Sequence, residues 1–287
     1  MEKKLSGNRR AMLLVAALAL AFRGSAAEAE KSPPGPAELR VMTYNIKTLI
    51  LGLGPSNWWL RRNDLAELIR NQQPDLIGMQ EVYTLQARDL EERLPGYAWF
   101  GLPRGDGQSK GERCPIFYRT ERLELLEQAT FWLSETPEAP GSRDWGSAFP
   151  RIVTWGKFRD KASGGIFFHF NTHFDHLSAE ARKNSAALFV ERIRAVAGDA
   201  PAVVTGDFNF TPEAPPYATM TAGLADSRLI SLSPPEGPER TLPALGRRID
   251  YIFVSQDFKV ERYGVIMAEG RQPSDHLAVL AEIKISK

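Results

Sequence analysis

The chain has 287 residues, of which 43% are hydrophobic and 25% are charged, and its formal net charge is +1 at pH 7. This composition is ordinary for a globular protein that buries a substantial core, in one large domain or two small ones. The single cysteine, Cys114, excludes an intramolecular disulfide. Because Cys114 lies in an apolar stretch, we expect it to be a buried small residue rather than a nucleophile.

The N-terminus has the pattern of a secretory signal. Basic residues precede the apolar run Ala11 to Phe22, and small residues follow it. We expect a signal peptide over residues 1–27, a linker over 28–37 and one mature domain over 38–287. An uncleaved anchor is the alternative, but the apolar run is too short to span a bilayer comfortably. The mature protein is therefore expected to be periplasmic or secreted, with no stable membrane span, and either Sec or twin-arginine export fits.

Processing would also change the charge of the protein. Removal of residues 1–27 takes away five basic residues and one acidic residue, which moves the formal net charge from +1 to −3. A mildly acidic protein lacks the broad basic surface of a general nucleic-acid binder, because phosphate neutralisation supplies most non-specific affinity. A local basic cleft remains compatible with this charge.

Apolar periodicity predicts an alternation of strands and helices. In chain order, the predicted elements are strand Leu39 to Asn45, helix Trp58 to Asn71, strand Asp75 to Glu81, helix Leu85 to Arg93, strands Tyr97 to Gly101, Arg113 to Tyr118, Leu123 to Phe131, Ile152 to Arg159 and Ile166 to Thr172, helix Ser178 to Ala197, and strands Ala202 to Thr205, Arg248 to Val254 and Leu277 to Ile283. The first helix is expected to bury Leu60, Leu65, Leu68 and Ile69 on one side. Ser178 is the expected N-cap of the long helix.

Many strands, interrupted by helices only in places, indicate two packed sheets covered by helices on the outside. No internal repeat is visible, so one mature domain is the simplest organisation. The segments Glu135 to Phe149 and Thr211 to Leu245 are long for plain connections. We therefore expect them to be loops that shape a substrate site.

The segment 203–209 indicates a functional site most directly. An apolar strand stops at Gly206 and is followed by Asp207 and Asn209. Residues two apart share a face of a strand, so both side chains are expected to project the same way. A simple turn is the alternative, because Gly, Asp and Asn are favoured turn residues.

Polar residues recur where other apolar runs stop. The segments with this pattern are Thr43-Tyr44-Asn45, Gln80-Glu81, Asn171-Thr172-His173, Ile249-Asp250 and Ser274-Asp275-His276. Any one of them alone is explained by a strand cap or a satisfied hydrogen bonder. Together with Gly206-Asp207-Phe208-Asn209, the six segments indicate a shared site.

In their order along the chain, these segments resemble the endonuclease/exonuclease/phosphatase superfamily, which includes deoxyribonuclease I, inositol polyphosphate 5-phosphatases, bacterial sphingomyelinases and deadenylases. The resemblance covers residues 39–285. It implies an α+β fold, the four-layer α/β/β/α sandwich of deoxyribonuclease I, with a metal at one end. The segment 171–176 looks more like the phosphatase, deadenylase and sphingomyelinase side than the abasic-site endonucleases, and 132–137 resembles exported or cytosolic bacterial members.

The resemblance also implies a metal site. Glu81 would be the main ligand of Mg²⁺, with Mn²⁺ as a substitute, because a hard carboxylate suits an ion that takes only one or two protein carboxylates. Asn45 would be a neutral oxygen ligand or a positioning residue beside it, and Asp275 would face the metal site directly or through water. Three histidines within 169–176 raise zinc as an alternative, but the neighbouring motifs match a magnesium-type family better. His169 is interpreted as structural and His176 as a rim residue.

The remaining roles follow from the resemblance as well. Asp207 would orient and deprotonate the attacking water, and Asn209 would hold a phosphate oxygen. His276 would bind a non-bridging oxygen, with Asp250 fixing its tautomer. His173 would contact the phosphate from the other side, with Glu112 orienting it. The candidate substrate-binding residues are Arg151, for which a surface ion pair is the alternative, and Tyr118, for which core packing is the alternative.

The sequence therefore predicts an exported, Mg²⁺-dependent phosphoesterase. Its expected substrate is a phosphorylated small molecule, a lipid headgroup or a nucleotide. A secreted nuclease is the nearest alternative and would require a basic groove beside the site. A non-catalytic binding protein that retains the fold is the remoter one. Nothing in the sequence indicates an oligomeric state.

Overall fold

The computed structural model describes residues 38–49 and 54–286, so the predicted signal peptide and linker lie outside the described residues. Twelve strands occur in the described part of the chain. Their bounds are β1 Leu39–Asn45, β2 Leu76–Gln80, β3 Tyr97–Phe100, β4 Ile116–Arg119, β5 Leu123–Trp132, β6 Ile152–Asp160, β7 Ile166–His173, β8 Ala202–Asp207, β9 Ala225–Asp226, β10 Asp250–Val254, β11 Phe258–Ile266 and β12 Ala278–Ile285. They form a first sheet in the order β11-β12-β1-β2-β4-β3 and a second sheet in the order β5-β6-β7-β8-β10-β9.

Helices cover the outer faces of the sheets. Their bounds are α1 Trp58–Gln72, α2 Thr84–Arg93, α3 Ala179–Ala197, α4 Pro215–Thr221 and α5 Ser227–Ile230, with short 3₁₀ turns at Gly54–Ser56 and Pro243–Leu245. The long helix α3 begins as expected, since the side chain of Ser178 accepts a hydrogen bond from the backbone N–H of Ala181 at 3.0 Å. No helix in the described residues is both long and apolar enough to cross a membrane.

Three apolar layers account for the stacking. The layer between the sheets contains Val41 and Leu76 from the first sheet and Phe167 and Val203 from the second. The next residues along the strands point outward, because side chains alternate across a strand. Met42 and Ile77 thus pack with α1 and α2, while Phe168 and Val204 pack with α3 and α4. The predicted four-layer α/β/β/α sandwich is confirmed.

Sheet topology brings the motif-bearing strand ends together. Each sheet contains one parallel pair, β1 with β2 and β7 with β8, and the remaining neighbours are antiparallel. Register places Asn45 opposite Gln80 in the first sheet and His173 opposite Asp207 in the second. Asp250 begins β10 directly opposite Asp207. Carboxyl ends of the parallel pairs therefore meet at one edge of the sandwich.

Beneath that edge, polar side chains join the two sheets. The Gln80 amide donates to Asn171 Oδ1 at 2.8 Å, and the Asn171 amide donates to the carbonyl oxygens of Met79 and Pro115 at 2.8 and 3.0 Å. Thr205 Oγ1 donates to Asn171 Oδ1 at 3.1 Å and lies 2.7 Å from His169 Nε2. This buried network fixes the separation of the sheets, because every displaced member would leave an unpaired polar group.

Three parts of the predicted structure are corrected. Leu60, expected in the apolar face of the first helix, is 59% exposed, and Arg61 is buried instead. Strand β11 was missed because charged residues interrupt its apolar pattern. The predicted loop 211–245 contains α4, β9 and α5, while 135–149 is irregular as expected.

Gly78 is required by the approach of the second sheet. A Cβ atom at this position would lie 2.0 Å from Thr205 Oγ1 and 2.5 Å from Asn171 Oδ1. We expect Gly78→Ala to lower the free energy of unfolding by about 2 kcal/mol, as overpacking of a rigid core does. Urea denaturation would measure the change. Gly223→Ala is the matched control, because its Cβ would make only an ordinary 3.6 Å contact; equal stability of the two variants would contradict the prediction.

His169 should make the protein acid-sensitive. Burial lowers its pKa to about 3, whereas an unfolded histidine has a pKa near 6.5. The unfolded state therefore binds the proton first, and this stabilisation, complete above about pH 6.5, is lost as the pH falls toward 3. We expect the loss of unfolding free energy between pH 7.5 and 5.5 to be smaller by about 1 kcal/mol in His169→Gln. Urea titrations at both pH values test this, and an unchanged pH dependence would contradict it.

Candidate active site

The carboxylate of Asp207 lies at the centre of the polar cluster. Its side chain is 1% exposed. Oδ2 accepts a hydrogen bond from Asn45 Nδ2 at 2.9 Å and Oδ1 accepts one from the backbone N–H of Asn209 at 3.0 Å. Burial and the neighbouring Asp250 carboxylate raise the pKa of Asp207. A raised pKa is what a carboxylate needs to act as a general base near neutral pH.

Asn209 reaches this cluster in a way that the strand argument did not predict. The strand ends at Asp207, so the two residues do not share a strand face. Asn209 has a left-handed backbone, with φ at 52°, and its side-chain amide donates to the carbonyl of Phe174 at 3.1 Å. The turn that was weighed as the alternative is present, and it places Asn209 beside Asp207.

Two histidines flank the same oxygen atom of Asp207. Nε2 of His173 is 3.6 Å from Asp207 Oδ2, and Nε2 of His276 is 3.7 Å from it. The Nδ1 atom of His276 lies 2.9 Å from Asp250 Oδ2, which fixes the orientation of the ring.

The two rings differ in charge. Burial lowers the pKa of His276, but the carboxylates of Asp250 and Asp207 raise it more, to about 10, so this ring is an imidazolium at neutral pH. Burial and the cations Arg151 and Arg104 lower the pKa of His173 well below its ordinary value, so this ring is neutral. One oxygen atom of Asp207 thus has a cationic and a neutral imidazole beside it.

Glu81 and Asn45 contact each other on one side of the site. Glu81 Oε1 accepts from Asn45 Nδ2 at 3.0 Å, and its Oε2 accepts from the backbone N–H of Thr48 at 2.7 Å. Glu81 has φ at 63°, a left-handed conformation that is uncommon for a residue with a side chain and is concentrated at functional sites. The Glu81 carboxylate fits a hard divalent cation. The Asn45 amide turns its Nδ2 to that carboxylate, and its Oδ1 accepts from the backbone N–H of Lys47 at 3.0 Å, so the amide would have to rotate to place its oxygen beside Glu81.

A second group of ligand atoms lies alongside. Oxygen and nitrogen atoms of Asp207, Asp250 and His276 lie within 4.8 Å of one another, close enough to hold a metal ion. The hydrogen bond between His276 and Asp250 already gives these two groups a different use, as an oriented acid–carboxylate pair.

Arg61 organises the loops that carry Asn45 and His276, and sequence reasoning missed it. The buried guanidinium donates to the carbonyl oxygens of Ile46 and Lys47 after β1 and of Pro273 before β12. Ser274 Oγ adds a hydrogen bond to the carbonyl of Asn45 at 2.7 Å. The sequence signal for its burial was its position on the apolar face of the first helix, between Trp58 and Leu65.

Arg151 is not a surface residue. It is 3% exposed, its Nε lies 3.4 Å from Asp175 Oδ2, and its Nη2 lies 2.9 Å from His176 Nδ1. Asp175, to which no role was assigned, is fully buried and also accepts from the backbone N–H of Ser178 at 2.8 Å. The surface ion pair expected as the alternative is wrong, because the pair is buried beside the site.

Glu112 does not have the expected partner. It lines a small crevice with Glu81, Arg151 and His173. Its carboxylate forms an ion pair with Arg104 at 2.9 Å, and this pairing replaces the expected orienting contact to His173. The adjacent Cys114 is buried, and burial raises the pKa of its thiol to about 12, as expected for an unreactive cysteine.

Tyr118 lies away from this cluster. β4 is antiparallel to β2, and Tyr118 pairs with Leu76 at the opposite end of β2 from Gln80. Its ring packs edge-on against Phe158 and Phe100 in the layer between the sheets. The proposed phosphate contact of Tyr118 is therefore wrong, and core packing explains the residue.

Asp275 sits at the edge of the cluster. Its Oδ2 lies 3.0 Å from Nζ of Lys47, and Lys47, like Glu81, has a left-handed backbone, with φ at 62°. Of the predicted metal ligands, Glu81 and Asn45 contact each other, whereas Asp275 is paired with a lysine. His169 lies inside the sandwich and His176 at the rim, as interpreted from the sequence.

The model of the Endonuclease/Exonuclease/phosphatase family matches residues 42–276. A structure of an endonuclease/exonuclease/phosphatase from Bacteroides vulgatus has 36% identity and a TM-score of 0.80, and the match covers 87% of this chain and 99% of that one. The mannosyl-6-phosphatase of Bacteroides thetaiotaomicron has 35% identity and a TM-score of 0.79, over 85% of this chain and 99% of that one.

A curated relative, the uncharacterized protein L388 of Acanthamoeba polyphaga mimivirus, is 33% identical over 163 residues, which are 53% of this chain and 59% of that protein. The chain spans less than two thirds of the length of the curated relatives that it matches. Members of the matched family are phosphoesterase and nuclease hydrolases that generally use a divalent metal. The chain belongs to the endonuclease/exonuclease/phosphatase family.

Proposed function

We propose that this protein is a Mg²⁺-dependent phosphoesterase that hydrolyses the phosphate ester of a small molecule by attack of a water activated by Asp207. The observation that carries the proposal is the environment of Asp207: a buried carboxylate of raised pKa, flanked by two imidazole nitrogens 3.6 and 3.7 Å from one oxygen. Such a group can both orient a water molecule and accept its proton.

The other side chains suit a phosphoryl group held beside Asp207. His276, kept cationic by Asp250, would donate to a non-bridging oxygen, and neutral His173 would donate to the oxygen that departs. The Asn209 amide uses one N–H on Phe174 and retains a second for a phosphate oxygen. Arg151 has a buried Nη1 with no hydrogen-bond partner and adds positive charge behind His173.

Glu81 and Asn45 would hold Mg²⁺, with Mn²⁺ as a substitute. When bound, the ion supplies positive charge that neutralises the phosphate oxygens during reaction. The pair fits because Mg²⁺ prefers oxygen ligands and keeps several waters, so it needs few protein carboxylates. Thr48 orients the Glu81 carboxylate from the backbone.

A phosphorylated small molecule is the favoured substrate, and a sugar phosphate is the first to test. A relative with 35% identity over most of this chain is described as a mannosyl-6-phosphatase. Three cations around the site are each matched by a carboxylate, Lys47 by Asp275, Arg104 by Glu112 and Arg151 by Asp175, and the buried Arg61 is bound by backbone carbonyl groups. Such pairing leaves less free positive charge for a polynucleotide backbone, so the nuclease alternative is less well supported.

Export remains part of the proposal, carried by the signal pattern in residues 1–27. A periplasmic or secreted phosphatase would act on phosphorylated compounds outside the cytoplasm. The alternative of a non-catalytic binding protein is less well supported. Members of the family are hydrolases, and the predicted polar residues around Asp207 are present and in contact with it.

Metal dependence is directly testable. We expect EDTA to abolish phosphate release and added Mg²⁺ or Mn²⁺ to restore it, because Glu81 and Asn45 would be left without their ion. Inorganic phosphate released from mannose 6-phosphate, other sugar phosphates, nucleotides and inositol phosphates would be measured, with single-stranded DNA and RNA as diester substrates. Turnover indifferent to both EDTA and Mg²⁺ would overturn the metal assignment.

Two substitutions test the chemistry. We expect Asp207→Asn and His276→Gln each to lower kcat by about a thousandfold or more, because each side chain acts mainly in the transition state. The exposed Asp199→Asn is the matched control and should keep full activity. Circular dichroism would verify folding, and near-normal kcat in either folded variant would refute the mechanism.

A further inference from the structure

Lys47 provides a cation of the chain itself at the edge of the proposed metal site. Its Nζ lies 3.0 Å from Asp275 Oδ2, and the two side chains are 24% and 41% exposed. Glu81 differs from Asp275, because the groups that donate hydrogen bonds to it are neutral. They are the Asn45 amide and the backbone N–H of Thr48. Across residues 38–49 and 54–286, no lysine or arginine forms an ion pair with Glu81. Asp275 is therefore paired with a cation of the chain, whereas Glu81 is not.

The backbone fixes the position of Lys47. Its N–H donates to Asn45 Oδ1 at 3.0 Å, and its carbonyl accepts from Arg61 at 2.7 Å and from Gln86 at 3.1 Å. These three hydrogen bonds hold a left-handed conformation, with φ at 62°, which a residue with a side chain rarely adopts. The same loop thus orients both the Asn45 amide and the Lys47 ammonium.

The loop of Asp275 is attached to the loop of Lys47. Ser274 Oγ donates to the Asn45 carbonyl at 2.7 Å, and Arg61 Nη1 donates to the carbonyl of Pro273 at 3.1 Å. Because both loops are bound to each other beside the ion pair, its two partners are held in register. The backbone positions of Lys47 and Asp275 are therefore fixed relative to each other.

We propose that Lys47 takes the place of a second metal ion, so that the active site binds one divalent cation, on Glu81 and Asn45, while Asp275 is reserved for Lys47. The inference rests on the proposed function and extends it to the number of ions. In two-metal sites the ions lie about 3.5–4 Å apart and share carboxylates. A second divalent ion bound to Asp275 would have to displace the ammonium, because Nζ lies 3.0 Å from Oδ2 and like charges repel strongly at a separation of that order.

The count of bound ions tests the inference without any turnover. Mn²⁺ would be titrated into the metal-free full-length protein, and free Mn²⁺ would be followed by its paramagnetic resonance signal. We expect one Mn²⁺ per wild-type chain. Lys47→Gln, which frees Asp275, should bind two, the second at least tenfold more weakly. Adding Asp275→Asn to that variant should return the count to one. The exposed Lys183→Gln is the matched control and should bind one.

Two ions on the wild-type chain, or one ion on folded Lys47→Gln, would overturn the inference. Should Lys47→Gln fail to fold, the single variant Asp275→Asn decides: one Mn²⁺ bound with a Kd within threefold of wild type supports it, and a Kd raised tenfold or more overturns it. Failure of the proposed function gives a different result, namely no Mg²⁺-dependent phosphate release by the wild-type enzyme.

Discussion

The burial of one carboxylate, Asp207, is the constraint on which the rest of the site depends. A buried carboxylate is costly unless hydrogen bonds and charges compensate for the lost water. Here Asn45 and the backbone of Asn209 donate to it, and two histidines lie near it. These partners come from both sheets, so the electrostatic requirement of one side chain fixes the relation between β1 and β8.

Ion pairs around the site neutralise most of its charged groups, so few of these groups compete for a metal ion or a phosphate. Asp250 is satisfied by His276 and Asp175 by Arg151. Glu112 is satisfied by Arg104. Each of these pairs lies beside the reaction centre and places a donor or a cation without leaving an uncompensated buried charge. The region of Glu81, Asn45 and Asp207 is not occupied by these ion pairs. It is therefore the region where we propose that the metal and the phosphate bind.

Sequence reasoning identified the strand ends but not the geometry that joins them. Apolar runs that stop at Asn45, Glu81, His173 and Asp207 are visible in the chain, and the family resemblance implied that they meet. Register then confirmed the meeting for Asn45 with Gln80 and for His173 with Asp207. Pattern alone could not show this, because a side-chain contact between residues 162 positions apart, such as the hydrogen bond from Asn45 to Asp207, leaves no local signal.

The errors have physical causes. Alternation predicted a shared face for Asp207 and Asn209, but a left-handed turn intervenes. Tyr118 ends an apolar run like the proposed site residues, yet β4 runs antiparallel to β2 and carries it to the far end. Arg61 was missed because a charged residue on an apolar stripe counts against burial, whereas five backbone carbonyl groups satisfy it here.

The position of His276 just ahead of β12 has a consequence for the life of the molecule. The site is distributed from residue 45 to residue 276, nearly the full length of the described chain. A ribosome must therefore release almost the whole domain before the last donor can join Asp250, and a chain that ends before residue 276 lacks that imidazole. If His276 acts as proposed, the enzyme becomes active only after nearly the whole domain has folded. An incomplete chain would therefore not hydrolyse substrate during synthesis.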